Sequence, residues 1–141
     1  MTRNTLEFFM AMIPPTVTHQ EQKIKVVNGK PLVHEAQELT NARAKLMAHL
    51  AQHKPPDPLQ GGAELMVMWC FPATGTHKNG EYRITKPDTD NLQKLLKDCM
   101  TKMGFWRDDC LVAREIVEKY WADTPGIYIR IRTLVREDTQ S

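Results

Sequence analysis

Aspartates are concentrated in a short stretch of this chain, from Asp88 to Asp109. Asp88 and Asp90 are separated by a single residue, Asp98 follows downstream, and Asp108 stands directly before Asp109. Carboxylates that converge on one place repel each other, and removal from water increases that cost. Oxygen ligands of this kind suit a hard divalent cation, magnesium or manganese. A metal site is therefore one prediction from these residues.

A solvated acidic helix cap is the alternative prediction. Asp is common at helix caps for purely local reasons, and Lys94 and Lys97 could then form ordinary surface ion pairs. The carboxylates alone do not separate the two predictions. A calcium-binding EF-hand loop is excluded. Counted from Asp88, the position that requires glycine holds Gln93, and the closing glutamate position holds Cys99.

A helix is predicted to position these side chains. Asp90 is placed to cap it, and Gln93, three residues later, completes a capping-box pattern. Gly104 is a natural C-terminal stop. The residues at helical spacing on the predicted buried face are Leu92, Leu95, Leu96, Cys99 and Met103. Asp90, Lys94 and Asp98 fall on the opposite face.

The complete string KPDTDNLQK, followed by LKD and then TKMGFWRDD, resembles the RusA-like Holliday-junction resolvases. These are small endodeoxyribonucleases, often encoded by phages and prophages. The family pattern has an acidic D-x-D-N-L-x-K block, a helix that carries a further Asp, and a paired D-D beyond it. The matching residues are Asp88, Asp90, Asn91, Leu92, Lys94, Asp98, Gly104, Asp108 and Asp109.

The resemblance implies a metal-dependent, structure-selective DNA endonuclease. The matching family positions make Asp88, Asp90 and Asp109 the expected ligands of Mg²⁺ or Mn²⁺, with Asp108 as a supporting ligand. The metal would polarise the scissile phosphate and lower the pKa of the attacking water. Lys94 matches the family's functional lysine and is expected to stabilise charge on the phosphoryl group.

Asp98 is expected to support this site by orienting Lys94 across one helical turn. The implied substrate is four-way-junction DNA, resolved in recombination and repair by two symmetric nicks, so a two-fold homodimer is also implied.

One alternative function is a non-catalytic DNA- or partner-binding module on the same fold. Another is a D-x-D glycosyltransferase in which residues 88–90 bind a nucleotide sugar, although the chain looks too short for that fold.

Basic residues near the acidic stretch are candidate DNA contacts. Residues 72–86 form an excursion with Asn79-Gly80 at its centre, the favoured pair for a two-residue hairpin turn. We expect a positively charged finger that holds the phosphates of a junction arm, and a solvated variable loop is the alternative. The candidate DNA-binding residues are Lys78, Arg83, Lys86, Arg107 and Lys23.

Length and composition indicate the class of protein. At 141 residues the chain should form a single domain, 1–141, with a modest core. The formal net charge of +2 does not by itself identify a nucleic-acid binder. No apolar run is long enough to cross a membrane. Cys70, Cys99 and Cys110 are expected to be buried, reduced thiols of a cytoplasmic protein.

The remaining pattern predicts an α+β fold, a mixed β-sheet with two main helices packed on it. Predicted strands cover 6–12, 64–71, 111–122 and 127–132, a small hairpin joins 24–27 to 31–33, and the first helix covers 35–53. The strand at 64–71 is almost uninterrupted apolar sequence. It is therefore expected to be a central strand covered on both faces, with Trp69 in the core.

Overall fold

Strands and helices follow one another in the predicted order. The computed structural model describes residues 5–18, 23–27, 30–34 and 37–135, of which 23–27 and 30–34 are described by their backbone alone. The elements are β1 (Thr5–Met10), β2 (Lys23–Val27), β3 (Lys30–His34), α1 (Gln37–Ala51), β4 (Ala63–Pro72), α2 (Thr89–Lys102), a short 3₁₀ helix (Asp109–Leu111), β5 (Val112–Ala122) and β6 (Gly126–Thr133). The α+β class with two main helices is confirmed.

Four of the strands form one mixed sheet in the order β1-β6-β4-β5. β4 is parallel to β5, and the β1–β6 and β6–β4 pairs are antiparallel. Parallel neighbours require a crossover connection, and here the chain from β4 to β5 contains α2. The acidic stretch lies in this crossover, so the sheet topology fixes where its side chains can be.

The two faces of β4 differ in exposure. Leu65, Val67 and Trp69 are fully buried in the core cluster shared with α1 and α2, which confirms the prediction for Trp69. Met66 and Met68, which point to the other face, are only half-buried. The prediction that this strand is covered on both faces was therefore wrong. An apolar run also occurs where one face is closed by helices and the other stays partly open.

The predicted hairpin is confirmed by the antiparallel pairing of β2 and β3, in which Val27 lies opposite Lys30. The helix predicted over 35–53 is observed as Gln37–Ala51. Residues 28–29 between the two hairpin strands, residues 35–36 at the predicted start of the first helix, and the tail 136–141 lie outside the described residues.

The cysteines are all free thiols, but only Cys99 is buried. Cys70 is half-buried and Cys110 is exposed, so the prediction of three buried thiols was wrong for these two. Cys110 lies in the 3₁₀ helix at the surface, where an apolar neighbour in sequence does not imply burial. None of the helices in the described part of the chain has the length and apolar character to span a membrane.

Candidate active site

α2 begins two residues earlier than the capping pattern predicts. Its N-cap is Asp88, whose side chain makes no capping hydrogen bond, and Asp90 lies in the first turn. Gln93 does not complete a capping box, because it is buried and its side-chain oxygen accepts a hydrogen bond from the indole Nε1 of Trp69 at 2.7 Å. A buried indole N–H requires an acceptor. The Gln93 side chain therefore bonds to Trp69 and not to the backbone at the start of the helix.

Lys119 of β5 holds the segment that leads into α2. Its Nζ donates to the carbonyl oxygens of Thr85 at 2.7 Å and Pro87 at 2.8 Å. Burial lowers the pKa of Lys119, as does the neighbouring Arg83, and Asp88 opposes the shift. Lys119 was not predicted as a site residue, although strand alternation puts it on the same face of β5 as Glu115 and Val117, which line the cleft beside α2.

An open cleft of about 450 Å³ separates α2 from β5. Its lining residues are Thr89, Asp90, Gln93, Lys94, Lys97, Asp109, Glu115 and Val117. Three predicted site residues, Asp90, Lys94 and Asp109, therefore share one cleft. Asp88 is exposed at the N-cap beside it. Glu115 was not predicted as a site residue, because residues 111–122 were interpreted only as a strand.

Asp90 and Asp109 lie toward opposite ends of the cleft. α2 runs antiparallel to β5, because Lys119 contacts the segment before the helix, whereas Glu115, near the strand's start, contacts Lys97 further along it. The helix axis rises about 10 Å between Asp90 and Lys97. Among the described residues, no three His, Cys, Asp or Glu side chains form a group that could hold a metal ion. The metal-ligand assignment stays a prediction.

The second acidic pair is presented by a short anchored segment. Gly104, with φ of +86°, ends α2, and the backbone N–H of Phe105 bonds back to the carbonyl of Met100 at 3.0 Å, as in a Schellman motif. Phe105 and Trp106 are fully buried, and Trp106 Nε1 donates to Thr101 Oγ1 at 2.7 Å. These contacts place the chain that follows against the last turns of α2.

Asp108 and Asp109 have different roles in this segment. The Asp108 side chain accepts from the backbone N–H of Cys110 at 2.9 Å and so caps the 3₁₀ helix, and this hydrogen bond lowers the pKa of Asp108. Asp109 lines the main cleft and also a second one of about 290 Å³. The second cleft is lined by Asp98, Thr101, Lys102, Arg107, Asp108 and Asp109. Asp98 and Arg107 therefore lie near the second acidic pair.

The excursion after β4 is not a free two-armed finger. Its second half runs along β5, with Tyr82 bridged to Tyr120 and with backbone bonds from Gly80 N to the Trp121 carbonyl at 2.8 Å and from Arg83 N to the Lys119 carbonyl at 3.0 Å. Asn79-Gly80 does form a turn, since Gly80 has φ of +89°. The strands of a hairpin do not extend from this turn, because residues 80–83 bond to the open edge of β5 instead.

The Arg83 side chain makes contacts within the protein. Its guanidinium carbon lies 4.3 Å from the Phe71 ring centroid and 4.5 Å from that of Trp121, and Nη2 donates to the Lys86 carbonyl at 2.5 Å. Burial lowers the pKa of Arg83. The side chains of Lys78 and Lys86 are exposed and stay candidate DNA contacts. Lys23 lies in β2, where only the backbone is described.

Comparison with known proteins identifies the family of this chain. The family model described as endodeoxyribonuclease RusA matches residues 13–132. The chain is also similar to a protein of Lactococcus phage r1t described as crossover junction endodeoxyribonuclease rusA. The two are 30% identical over 105 residues, which cover 73% of this chain and 77% of the relative. The match takes in the whole acidic stretch, both clefts and most of the sheet. This chain therefore belongs to the RusA family of endodeoxyribonucleases.

Proposed function

We propose that this protein is a metal-dependent endonuclease that resolves four-way DNA junctions during recombination and repair. Membership of the RusA family supports nuclease activity, and the described name of the phage relative supports a crossover junction as the substrate. The observation that carries the proposal for this chain is the open cleft between α2 and β5. Asp90, Lys94 and Asp109 all line this cleft.

The donor set at the start of α2 fits a magnesium ion. Asp88 and Asp90 supply hard carboxylate oxygens, and the Asp88 side chain is not engaged in capping the helix. Asp109, supported by Asp108, would supply carboxylate oxygens at the other end of the same cleft. Magnesium, when bound, supplies an acidified water and polarises the phosphate. Lys119 donates to the Pro87 carbonyl and so fixes the backbone directly before Asp88, the first residue of the acidic pair.

Lys94 is the proposed catalytic cation. It is exposed in the cleft, one helical turn after Asp90. Its ammonium can donate hydrogen bonds to the non-bridging oxygens of a phosphate, and these bonds strengthen as negative charge develops in the transition state. Because the contact tightens in the transition state, loss of Lys94 should lower the rate of cleavage more than the affinity for DNA.

A homodimer is proposed because two symmetric nicks require two sites related by a two-fold axis. The partly open face of the sheet supports this proposal. Phe9 is 42% exposed and Ile116 is 37% exposed, and both lie on the same face as the half-buried Met66 and Met68. A second copy would remove this apolar surface from water.

Cleavage of a synthetic four-way junction tests the proposed function. The labelled junction is incubated with the protein in magnesium, in manganese and in EDTA, and a linear duplex of the same sequence is the control. We expect paired, symmetric nicks in the junction with either metal and no cleavage in EDTA. Analytical ultracentrifugation of the same preparation should show a dimer. Junction binding without cleavage under all conditions would instead indicate a non-catalytic module.

A further inference from the structure

A chain of hydrogen bonds connects the protein core to the middle of the cleft. The indole N–H of Trp69 donates to Gln93 Oε1 at 2.7 Å, and Gln93 Nε2 donates to Glu115 Oε2 at 2.6 Å. The other carboxylate oxygen of Glu115 accepts from Lys97 Nζ at 3.0 Å. Trp69 is fully buried, Gln93 is 3% exposed, and Lys97 and Glu115 are at the surface of the cleft.

The orientation of each group in this chain follows from the one before it. An indole nitrogen can only donate, so the amide oxygen of Gln93 must face Trp69. The amide nitrogen of Gln93 then faces Glu115 and fixes one of its carboxylate oxygens. The remaining oxygen of Glu115 holds the ammonium of Lys97. Because an ammonium carries three N–H donors, Lys97 can bind a further acceptor without leaving Glu115.

Lys97 lines the cleft in which the proposed catalytic residues lie. Asp90 and Asp109 line the same cleft, and Lys97 lies about 10 Å from Asp90 along the axis of α2. An exposed ion pair adds little to stability, so the pair with Glu115 does not by itself explain a buried amide aimed at it. Fixed side chains at a binding site reduce the loss of conformational freedom when the ligand binds.

We propose that Lys97 is a second cationic contact for the cleaved DNA strand, on a phosphate next to the one that is cut. Gln93 and Glu115 are positioning residues that act through Lys97. This inference rests on the proposed nuclease function and adds to it a residue that the family pattern quoted above does not include. The bound group is a phosphodiester oxygen, recognised by an ammonium that the fold holds in place.

The test uses Lys97→Ala, Glu115→Gln and the double variant, with Lys45→Ala on α1 as a matched control. Junction affinity is measured without divalent metal over a range of salt concentrations, and the single-turnover cleavage rate is measured at saturating protein. Thermal melting establishes that each variant is folded. A magnesium titration of the cleavage rate separates a positioning role for Glu115 from a role as a metal ligand.

Lys97→Ala should weaken junction binding about tenfold and reduce the slope of log affinity against log salt by about 0.9, the value for one lost phosphate contact. Glu115→Gln removes a negative charge near DNA and so should not weaken binding, yet its cleavage rate should fall about tenfold because Lys97 is no longer held. In the Lys97→Ala background, Glu115→Gln should change the rate less than about twofold, since residues that act as one unit are not additive. Lys45→Ala should behave as the unmodified protein.

Two results would overturn the inference alone. In the first, the unmodified protein binds and cuts junctions, and the Lys97→Ala and Glu115→Gln variants have the same salt slope and the same cleavage rate. The other is a Glu115→Gln variant that needs several-fold more magnesium for half-maximal rate, which would make Glu115 a metal ligand. If the unmodified protein neither binds nor cuts junctions, the proposed function and this inference fail together.

Discussion

Replacement of Glu64 by Gln should destabilise the fold and leave the cleft intact. Glu64 is 2% exposed on β4, and its carboxylate accepts from Arg132 at 2.9 and 3.1 Å, from Arg114 at 3.2 Å and from Arg130 at 3.3 Å. Side chains alternate between the faces of a strand. Glu64 therefore points away from the face that carries Trp69 and meets α2.

The expected loss follows from the pKa of Glu64. Hydrogen bonds from Arg132 are the largest cause, and with those from Arg114 and Arg130 they outweigh burial and lower this pKa from 4.5 to about 2. Each pKa unit corresponds to about 1.4 kcal/mol, so the lowering from 4.5 to about 2 sets an upper limit of about 3.5 kcal/mol on the contribution of the ionised group. The arginine side chains are 25% to 59% exposed, so water screens the network. We therefore expect a loss of about 1–2 kcal/mol.

Urea unfolding followed by circular dichroism measures this loss at several pH values. The folded-state pKa of Glu64 is depressed, so its contribution is fully present above pH 4.5 and disappears as the pH falls toward 2. The difference in unfolding free energy between the unmodified protein and Glu64→Gln should be full at pH 7 and smaller at pH 3. Glu38→Gln, on the exposed start of α1, is the control. Equal urea midpoints at pH 7, or a difference that grows on acidification, would refute this reasoning.

Three other substitutions test the packing that supports the site. Arg83→Ala should lower the free energy of unfolding by about 1–2 kcal/mol, because its guanidinium lies over two rings, and Arg83→Lys should not restore it. Gly126→Ala should cost about 1–3 kcal/mol, because a Cβ there would lie 2.7 Å from the Met10 carbonyl oxygen. Lys119→Met should cost about 1–3 kcal/mol by leaving the Pro87 carbonyl without its donor, and it should also slow junction cleavage.

Urea unfolding checks all three losses, and single-turnover kinetics checks the effect of Lys119→Met on cleavage. Recovery of full stability in Arg83→Lys would show that the charge matters and the stacked guanidinium plane does not. An unchanged urea midpoint for Gly126→Ala would mean that the β1–β6 pair can move apart freely. Normal cleavage by Lys119→Met would show that the segment before α2 needs no support from β5.

The fold was largely predictable because its elements have strong local patterns. The alternation of Ile127, Ile129 and Ile131 predicted β6, and the helical spacing of Leu92, Leu95 and Leu96 predicted α2; both are observed with these side chains buried. Gly104 marked the end of α2 because its positive φ suits glycine. These features depend on residues close together in sequence.

Features that depend on distant residues could not be predicted in the same way. Asn79 accepts from the backbone N–H of Asp123 at 2.9 Å, and the strand edge beside it takes the second half of the excursion. Gln93 was interpreted as a capping residue, whereas Trp69, far away in sequence, determines its orientation. In each case a tertiary hydrogen bond replaces the local one that the sequence pattern suggests.

Some of the residues that line the cleft were predicted from the sequence, and others were not. The acidic pattern identified Asp90, Lys94 and Asp109, which share a cleft. Glu115 and Lys119 were missed because a charged residue in a strand pattern ordinarily indicates a solvated face. Their spacing of four residues in a strand puts both on the face that meets α2, and this signal becomes informative only once the neighbour of β5 is known.

The most direct test of the central claim is the single-turnover rate at which Asp90→Asn cuts a four-way junction in magnesium. Asn keeps the volume of Asp and removes one carboxylate charge from the start of α2. Asp90→Asn should cut the junction at least about a hundredfold more slowly, with junction affinity and melting temperature nearly unchanged, and the exposed-loop control Asp57→Asn should cut normally. Paired nicking by Asp90→Asn at the rate of the unmodified protein would show that Asp90 is not needed for metal-dependent cleavage.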